Sequence, residues 1–406
     1  MSAKTKKVAV LGGGSAGFTA ARIAAQKGAR VFFFMGDNAD YASLCINAGC
    51  MPSKAIFEPI DAMHHAKLHG WLEVRPKQPN EYLAQIVRWK DDEVAAFRAY
   101  RNKEIDDLAS DHFTILRHDA HFVSEHEVVG KGKCYNFDAA IIATGSITVL
   151  PEIKGLDPTW DGIWTSDEIL QNTRVPKSLA VIGSGAIGLE FSLRYARLGA
   201  TVTLVSRSGI LSEFPRQFGE RLRLIYESEG VRVLTGAQVG RVRRESTGEF
   251  KLDIEGPNQG ESIMAEKILL ATGRRPAVAG LGLEAAGIIL NSRRRLEIGE
   301  DMRVRGKQHI FAAGDVAGVR MVVHHAHIEA GIAAENACEN GERRWTKRSN
   351  IEVIFSDPEF AFAGCTPEEA ERDGHELVSA SAESRDIGKL HLAGDDSGFG
   401  EFWADR

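Results

Sequence analysis

Two cysteines stand five residues apart in Cys45-Ile-Asn-Ala-Gly-Cys50-Met-Pro-Ser-Lys54. A close thiol pair can form a disulfide and be reduced again, and so can carry two electrons. In a regular α-helix, residues five apart have Cα atoms roughly 8–9 Å apart. A disulfide needs less than about 7 Å. A bridge here therefore requires a bend in the chain. Gly49 permits one, and Pro52 suits the first turn of a helix starting just beyond it. A nearby helix N-terminus lowers thiolate pKa values and favours the nucleophilic form. The same residues can also be read as two buried free thiols. A metal site would need two further ligands at close spacing, and none is adjacent. His324, His325 and His327 lie far off in sequence and read as helix packing before metal binding, so no metal site is expected.

Chemistry of this kind needs an electron source, and two glycine-rich loops suggest one. The first is Gly12-Gly-Gly-Ser-Ala-Gly17, after the apolar run Val8–Leu11 and before an Ala-rich run ending at Gly28. The second is Gly183-Ser-Gly-Ala-Ile-Gly188, after Leu179–Ile182 and before a run ending at Gly199. Apolar strands follow at Val31–Met35 and Thr201–Val205. Both loops match G-x-G-x-x-G. Its glycines allow a tight turn, close approach to a pyrophosphate, and packing of helix on strand, with the helix N-terminus facing the negative charge. A ribose-binding carboxylate is expected at the end of the strand after the loop. In the first unit that position is Met35, and Asp37 two residues on is the substitute. In the second, the strand ends at Val205-Ser206-Arg207, and an Arg there favours the 2′-phosphate of NADP(H) over NAD(H).

The elements that must position these residues follow from length and pattern. A chain of 406 residues exceeds one ordinary core, so two to four domains are expected. Hydrophobic residues make up 43% and charged residues 26%, as in soluble globular proteins. A net charge of −6 argues against non-specific binding to nucleic acid or anionic membrane. No apolar run reaches membrane-span length, and Val8–Leu11 is too short for a signal peptide, so a cytoplasmic protein is expected. Five cysteines over this length do not make a disulfide scaffold. Residues 55–110 read as helices from apolar positions such as Ile56, Ile60, Leu83, Ile86, Val87, Val94 and Phe97. Short strands follow at 113–143 and 231–271. Residues 339–350 are polar and read as a boundary, and 351–406 as strands with one short helix near Pro367–Asp373.

The stretch Cys45–Lys54 resembles the active-site signature of the class I pyridine nucleotide–disulfide oxidoreductases. Further motifs agree in order: Ala143-Thr-Gly145, Gly183–Glu190, Ala271-Thr-Gly-Arg-Arg-Pro276, Phe311-Ala-Ala-Gly-Asp315, and Phe355-Ser-Asp-Pro-Glu359 through Gly364. The resemblance covers nearly the whole chain. It implies an α/β fold with two Rossmann-like, three-layer nucleotide-binding domains and a partial α+β C-terminal interface domain. FAD binding is expected at 1–149 and 276–345, NAD(P) binding at 150–275, and an incomplete dimerisation domain at 346–406. Cys50 is expected as the thiol nearer the flavin, Cys45 as the interchange thiol, and Lys54 with Glu190 as an ion pair beside the flavin ring. Cofactor contacts are implied at Gly12, Gly14, Ser15, Ala16, Gly17, Lys54, Ala120, Ala143, Thr144, Gly145, Gly183, Gly185, Ala186, Ile187, Gly188, Arg207, Gly273, Gly314 and Asp315.

The sequence departs from the family at two places. Tyr41-Ala42-Ser43-Leu44 stands where the family usually has two glycines and a Thr. The sequence also stops at Arg406, before the family's C-terminal His–Glu acid–base pair, so poor turnover of disulfide substrates is expected from this chain. The activity implied is FAD-dependent, NAD(P)H-linked dithiol–disulfide exchange, most like dihydrolipoamide dehydrogenase, with a lipoamide-like substrate and a homodimer. The alternatives are a mercuric reductase-like enzyme and a catalytically silent FAD-binding module.

Overall fold

A computed structural model describes residues 5–37, 43–68, 78–318, 320–339, 341–346, 350–392 and 397–406. Its helices are α1 (Ser15–Gln26), α2 (Leu44–Asn47), α3 (Cys50–Leu68), α4 (Pro79–Asp106), α5 (Ser166–Gln171), α6 (Ala186–Arg197), α7 (Arg216–Ser228), α8 (Val323–Glu339), α9 (Pro367–Arg372) and α10 (Gly388–Leu392). The chain separates into two compact units. One comprises Met1–Pro52, Asp91–Thr148 and Arg274–Asn350; the other comprises Ser53–Lys90, Val149–Gly273 and Ile351–Arg406.

The first unit is built on a five-stranded parallel sheet in the order Ile310–Ala312, Ala139–Ile142, Lys7–Leu11, Arg30–Phe34, Phe113–Leu116. The central strand pairs Val8 with Val31 on one side and with Ala139 on the other. Parallel strands buried on both faces read as continuous apolar runs, and Lys7–Leu11 and Ala139–Ile142 do so. On one face, α1 and α8 bury Ala20, Ala21, Ala24, Ala330, Ala333, Ala334 and Ala337 against Val8, Val10, Phe33 and Phe311. Alanine stripes let two helices lie close together over one sheet face, where longer side chains would hold them apart. The opposite face carries Leu11, Phe34 and Ile142 and is covered by the antiparallel sheet His121–Ser124, Glu127–Gly130, Lys133–Asn136 through Phe122, Val128 and Tyr135. Three layers result: helices, parallel sheet, antiparallel sheet.

The second unit repeats the scheme. Its parallel sheet runs Arg232–Thr235, Thr201–Ser206, Ser178–Ile182, Lys267–Leu270, Ile163–Trp164. An antiparallel sheet, Gln238–Arg244, Phe250–Glu255 and Ser262–Ala265, packs on one face through Val242, Phe250, Leu252 and Ile263. This unit also holds the antiparallel pairs Ile351–Ile354 with Phe360–Ala363 and Leu377–Glu383 with Phe399–Asp405.

The expected α/β class is the one observed, with a parallel sheet in each of the two units. Two local readings need correction. The helix after the cysteines starts at Cys50 and includes Pro52, rather than starting beyond it. First-turn positions need no intrahelical N–H donor, so proline is accommodated there. The C-terminal region contains α10 as well as α9, and α10 is too short and glycine-led to show a helical period. The polar boundary is irregular over 341–346 and at 350, while Asn340 and 347–349 lie outside the described residues, as do Tyr41 and Ala42.

Phe33 is fully buried in the first sheet and meets Phe113 edge-on with ring centroids 6.1 Å apart. Phe33→Ala should destabilise the protein by about 3–5 kcal/mol, whereas Ile289→Ala, at a position 88% exposed, should stay within about 0.5 kcal/mol. Denaturant midpoints of the two variants check this, and equal losses would contradict the assignment of this core.

Candidate active site

Each nucleotide loop divides its three glycines between structural and open positions. In the first, Gly12 has φ 120°, and a Cβ there would stand 2.2 Å from Ala143 O. A Cβ on Gly17 would stand 1.8 Å from Gly12 O. In the second, Gly183 has φ 110° and a Cβ would stand 2.3 Å from Ala271 O; at Gly188 it would stand 1.9 Å from Gly183 O. These four positions exclude any side chain. Gly14 and Gly185 differ, since a Cβ at either meets no heavy atom within 4 Å. They cap the N-termini of α1 and α6 in extended conformation. The loops thus hold their shape through the first and third glycines and leave open space at the second, at the N-termini of α1 and α6. Ser15, Ala16, Ala186 and Ile187 form the first turns of those helices.

The two Ala-Thr-Gly turns lie under the loops and are built alike. Ala143 N donates to Leu11 O at 2.7 Å, and Ala271 N donates to Ile182 O at 2.9 Å. Thr144 Oγ1 donates to Ala277 O at 2.7 Å, and Thr272 Oγ1 to Val149 O at 2.8 Å. Gly145 and Gly273 follow with φ of 74° and 102°. Ala120 is buried between strands Phe113–Leu116 and His121–Ser124. At the turn after Ile310–Ala312, Gly314 takes φ 79°, and its N–H donates to Glu329 Oε2 at 2.8 Å. Asp315 is half-buried, and its Oδ2 accepts from Ser146 Oγ at 2.5 Å. That hydroxyl accepts in turn from Arg274 Nε at 2.8 Å.

The cysteine segment is bent. Helix α2 breaks at Ala48, whose φ and ψ are −149° and 29°. A Cβ on Gly49 would stand 2.9 Å from Leu44 O and 3.1 Å from Cys45 Cα, so the chain has folded back on itself and only glycine fits. Cys45 is half-buried; Cys50 is exposed at the first residue of α3. Ser43 is 1% exposed with its Oγ 2.8 Å from Ser15 Oγ. One helical turn beyond Cys50 comes Lys54. Its Nζ donates to Glu190 Oε2 at 2.8 Å and lies 4.2 Å from the Phe355 ring centroid. Glu190 is 5% exposed, and its Oε1 accepts from Phe355 N at 3.0 Å, so both carboxylate oxygens are engaged.

Met35 is 1% exposed, with its side chain in the core and its carbonyl oxygen 2.6 Å from where a Gly13 Cβ would be. Asp37 is exposed and its Oδ1 accepts from Asp119 N at 3.5 Å. Burial, together with the Asp37 carboxylate, raises the Asp119 carboxyl above its usual range. Arg207 is exposed after Ser206, whose Oγ lies 2.6 Å from Ser184 Oγ. The histidines of α8 pack as helix residues. His325 is fully buried, with its ring 6.1 Å from that of Trp345, and His327 Nδ1 lies 2.7 Å from Thr19 Oγ1. Among the described residues no group of three or more His, Cys, Asp and Glu is placed to hold a metal. None of the described helices is long and apolar enough to cross a membrane.

Sequence reasoning missed Ser146, Arg274, Glu329 and Phe355 as neighbours of the site. For Glu329 a signal existed: a carboxylate amid the Ala-rich positions of α8, on a helix otherwise buried.

A profile for the family described as pyridine nucleotide-disulphide oxidoreductase matches residues 6–330. A mercuric reductase from Bacillus cereus is 32% identical over 378 residues, which is 91% of this chain and 58% of that protein. A dihydrolipoyl dehydrogenase from Thermus scotoductus is 33% identical over 377 residues, covering 92% of this chain and 79% of the other. The chain therefore spans well under two thirds of the first of these relatives and about four fifths of the second. In fold it is similar to the HOCl-induced flavoprotein disulfide reductase RclA from Escherichia coli, with TM-score 0.83, 24% identity, and coverage of 98% of this chain and 86% of that one. It is also similar to LpdA from Mycobacterium tuberculosis, with TM-score 0.85, 21% identity, and coverage of 99% and 87%.

Glu329 makes a pH prediction. Burial pushes its carboxyl up to about 7, the Gly314 N–H opposes this, and Asp315 adds to it. The folded state then holds a proton that the unfolded state loses from its ordinary value of 4.5, so stability falls as pH rises between about 4.5 and 7. The full effect amounts to about 3 kcal/mol. Glu329→Gln keeps an acceptor for Gly314 and should flatten this slope, leaving the variant more stable relative to the parent at pH 8 than at pH 5. Urea midpoints across that range test it, and parallel pH profiles would refute it.

Proposed function

The chain belongs to the pyridine nucleotide–disulphide oxidoreductases, and from that premise we propose an FAD-dependent, NAD(P)H-linked dithiol–disulfide oxidoreductase most like dihydrolipoamide dehydrogenase. The observation that carries this reading is the Lys54–Glu190 pair at 2.8 Å, on a helix that begins with one cysteine of the pair. Residues 1–149 and 276–345 are assigned to FAD, 150–275 to the nicotinamide nucleotide, and 346–406 to a dimer interface.

The residues present fit the two cofactors. The space beside Gly14 and Gly185 is what a pyrophosphate needs, and a side chain there would fill it. FAD would lie against Gly12, Gly14, Ser15, Ala16 and Gly17, with Ala120, Ala143–Gly145 and Gly314–Asp315 completing its site. Asp315, fixed by Ser146, presents its remaining oxygen to hydroxyls. Asp37 supplies the carboxylate that Met35 lacks. The nicotinamide nucleotide would lie against Gly183, Gly185, Ala186, Ile187 and Gly188, with Arg207 on a 2′-phosphate. When bound, FAD supplies a two-electron relay between nicotinamide and thiols. Lys54 holds a positive charge toward that group, and Glu190 keeps the ammonium in place.

The thiol chemistry belongs to the chain itself. The Cys45 thiolate attacks one sulfur of a substrate disulfide, the S–S bond breaks, and the first substrate thiolate leaves and takes a proton. The Cys50 thiolate then attacks Cys45 Sγ in the mixed disulfide and expels the second thiolate, leaving Cys45 and Cys50 oxidised and the substrate reduced. The exchange runs in either direction. The lipoamide-like substrate and the homodimer are part of this proposal. A mercuric reductase-like activity is the second reading. It is favoured by the relative from Bacillus cereus, at nearly the same identity, and by Arg207, since lipoamide oxidation usually uses NAD.

Anaerobic titration with NADPH and then NADH should bleach bound flavin, raise a long-wavelength thiolate–flavin absorption and make Cys45 and Cys50 titratable. Flavin that stays oxidised with no new thiols would point to the silent FAD-binding module instead. Loss of a charged hydrogen bond in Arg207→Glu should lower kcat/KM for NADPH by about 10–100-fold. An unchanged NADPH preference would remove Arg207 from cofactor selection. Reduction of Hg(II) set against reduction of lipoamide separates the two substrate readings.

A further inference from the structure

Helices α3 and α6 present matching ladders. Lys54, Phe57 and Asp61 share one face of α3; Glu190, Arg194 and Arg197 share one face of α6. Lys54 meets Glu190 at the first rung. Above it, Arg194 lies 4.7 Å from the Phe57 ring centroid and bonds Asp61 by Nε at 3.1 Å to each carboxylate oxygen and by Nη2 at 2.5 Å. Asp61 Oδ1 also accepts from Arg197 Nη1 at 2.7 Å, and Arg197 goes on to Glu229 at 2.7 Å and Asp357 at 2.6 Å. Arg194 is 3% exposed. Burying a guanidinium is costly unless its nitrogens are hydrogen-bonded, so the partner of the third nitrogen is informative. Nη1 donates to Phe355 O at 2.6 Å. The backbone of Phe355 is thereby held at both ends by residues one turn apart on α6, its N–H by Glu190 and its carbonyl by Arg194.

We propose that Arg194, anchored by Asp61, is a positioning residue for the Lys54–Glu190 pair. Locking Phe355 fixes the oxygen of Glu190 that accepts its N–H, which leaves the other oxygen aimed at Lys54. The same lock sets the Phe355 ring against the Lys54 ammonium. Without Arg194, the Phe355 segment loses one of its two anchors and Glu190 is free to rotate. The inference rests on the reading of Lys54 and Glu190 as the charged pair beside the flavin.

The test compares Arg194→Met with Arg194→Lys, which retains one donor for Phe355 O. Hydrogen exchange of the Phe355 amide and acetylation of Lys54 are followed in the protein without added nucleotide, and steady-state kinetics with NAD(P)H and ferricyanide in the flavin-loaded protein. In Arg194→Met, loss of a buried hydrogen bond should speed Phe355 exchange about tenfold, with Val181 and Leu204 unchanged. Lys54 acetylation should rise severalfold, and kcat should fall while KM for the nicotinamide holds. Arg194→Lys should restore part of each change. If Arg194→Met does not fold, Asp61→Asn is read the same way. Phe355 exchange within twofold of the parent would overturn the proposal. So would faster Phe355 exchange with unchanged Lys54 acetylation, because Arg194 would then only pin the backbone. A flavin that never reduces, in a protein whose Lys54 acetylation still responds to Arg194, would sink the redox assignment and leave the clamp standing.

Discussion

The closest constraint in the molecule is that between a loop carbonyl and the helix that follows it. Gly17 faces Gly12 O, and Gly188 faces Gly183 O, at distances no side chain can share. This contact sets where α1 and α6 begin relative to their sheets. Once the helix is seated, its first N–H groups point into open space at Gly14 or Gly185. The Ala-Thr-Gly turns are drawn into the same geometry, because the carbonyls of Ala143 and Ala271 lie directly against Gly12 and Gly183. Two loops of the same shape thus follow from steric exclusion at four α-carbons.

The redox segment obeys a different logic. Here the chain is folded back at Ala48 and Gly49, and α3 starts at Cys50, placing a thiol at a helix N-terminus. Lys54, one turn later, has an amphipathic stem and a cation that needs a partner. Glu190 supplies that partner, and a layer of aromatic rings, Phe57, Phe191 and Phe355, keeps the pair partly dry. Low local polarity strengthens the attraction between the two charges and also makes each one intolerant of losing the other.

The sequence showed the skeleton of this arrangement clearly. Spacing alone marked both glycine loops, since each glycine answers a local steric need that no other residue meets. The bend between Cys45 and Cys50 was also legible, because a helical separation and a disulfide separation are incompatible. The residues that hold the site together were harder to see. Arg194, Asp61 and Phe355 are far apart in sequence, and their partnership depends on which faces of α3 and α6 meet. Arg194 reads locally as an ordinary charge on an amphipathic helix. Glu329 stands amid alanines in its helix, but that it is buried follows only from how the helix packs. Met35 shows the opposite case: its sequence position called for a carboxylate, and the structure puts its side chain in the core.

The order of strands in the first sheet has a consequence for how the protein is made. Lys7–Leu11 leaves the ribosome first, yet its neighbour Ala139–Ile142 must itself pair with Ile310–Ala312, and α1 must be covered by α8. Synthesis at about 5–20 residues per second separates these events by on the order of tens of seconds. During that interval the apolar edge of Ala139–Ile142 and the alanine face of α1 stay open to water and to other nascent chains. Residues 149–273, by contrast, contain every strand of their own parallel sheet and can close it as they emerge. The protein is therefore expected to mature from the middle outward, its first sheet closing only once Ile310–Ala312 has been translated.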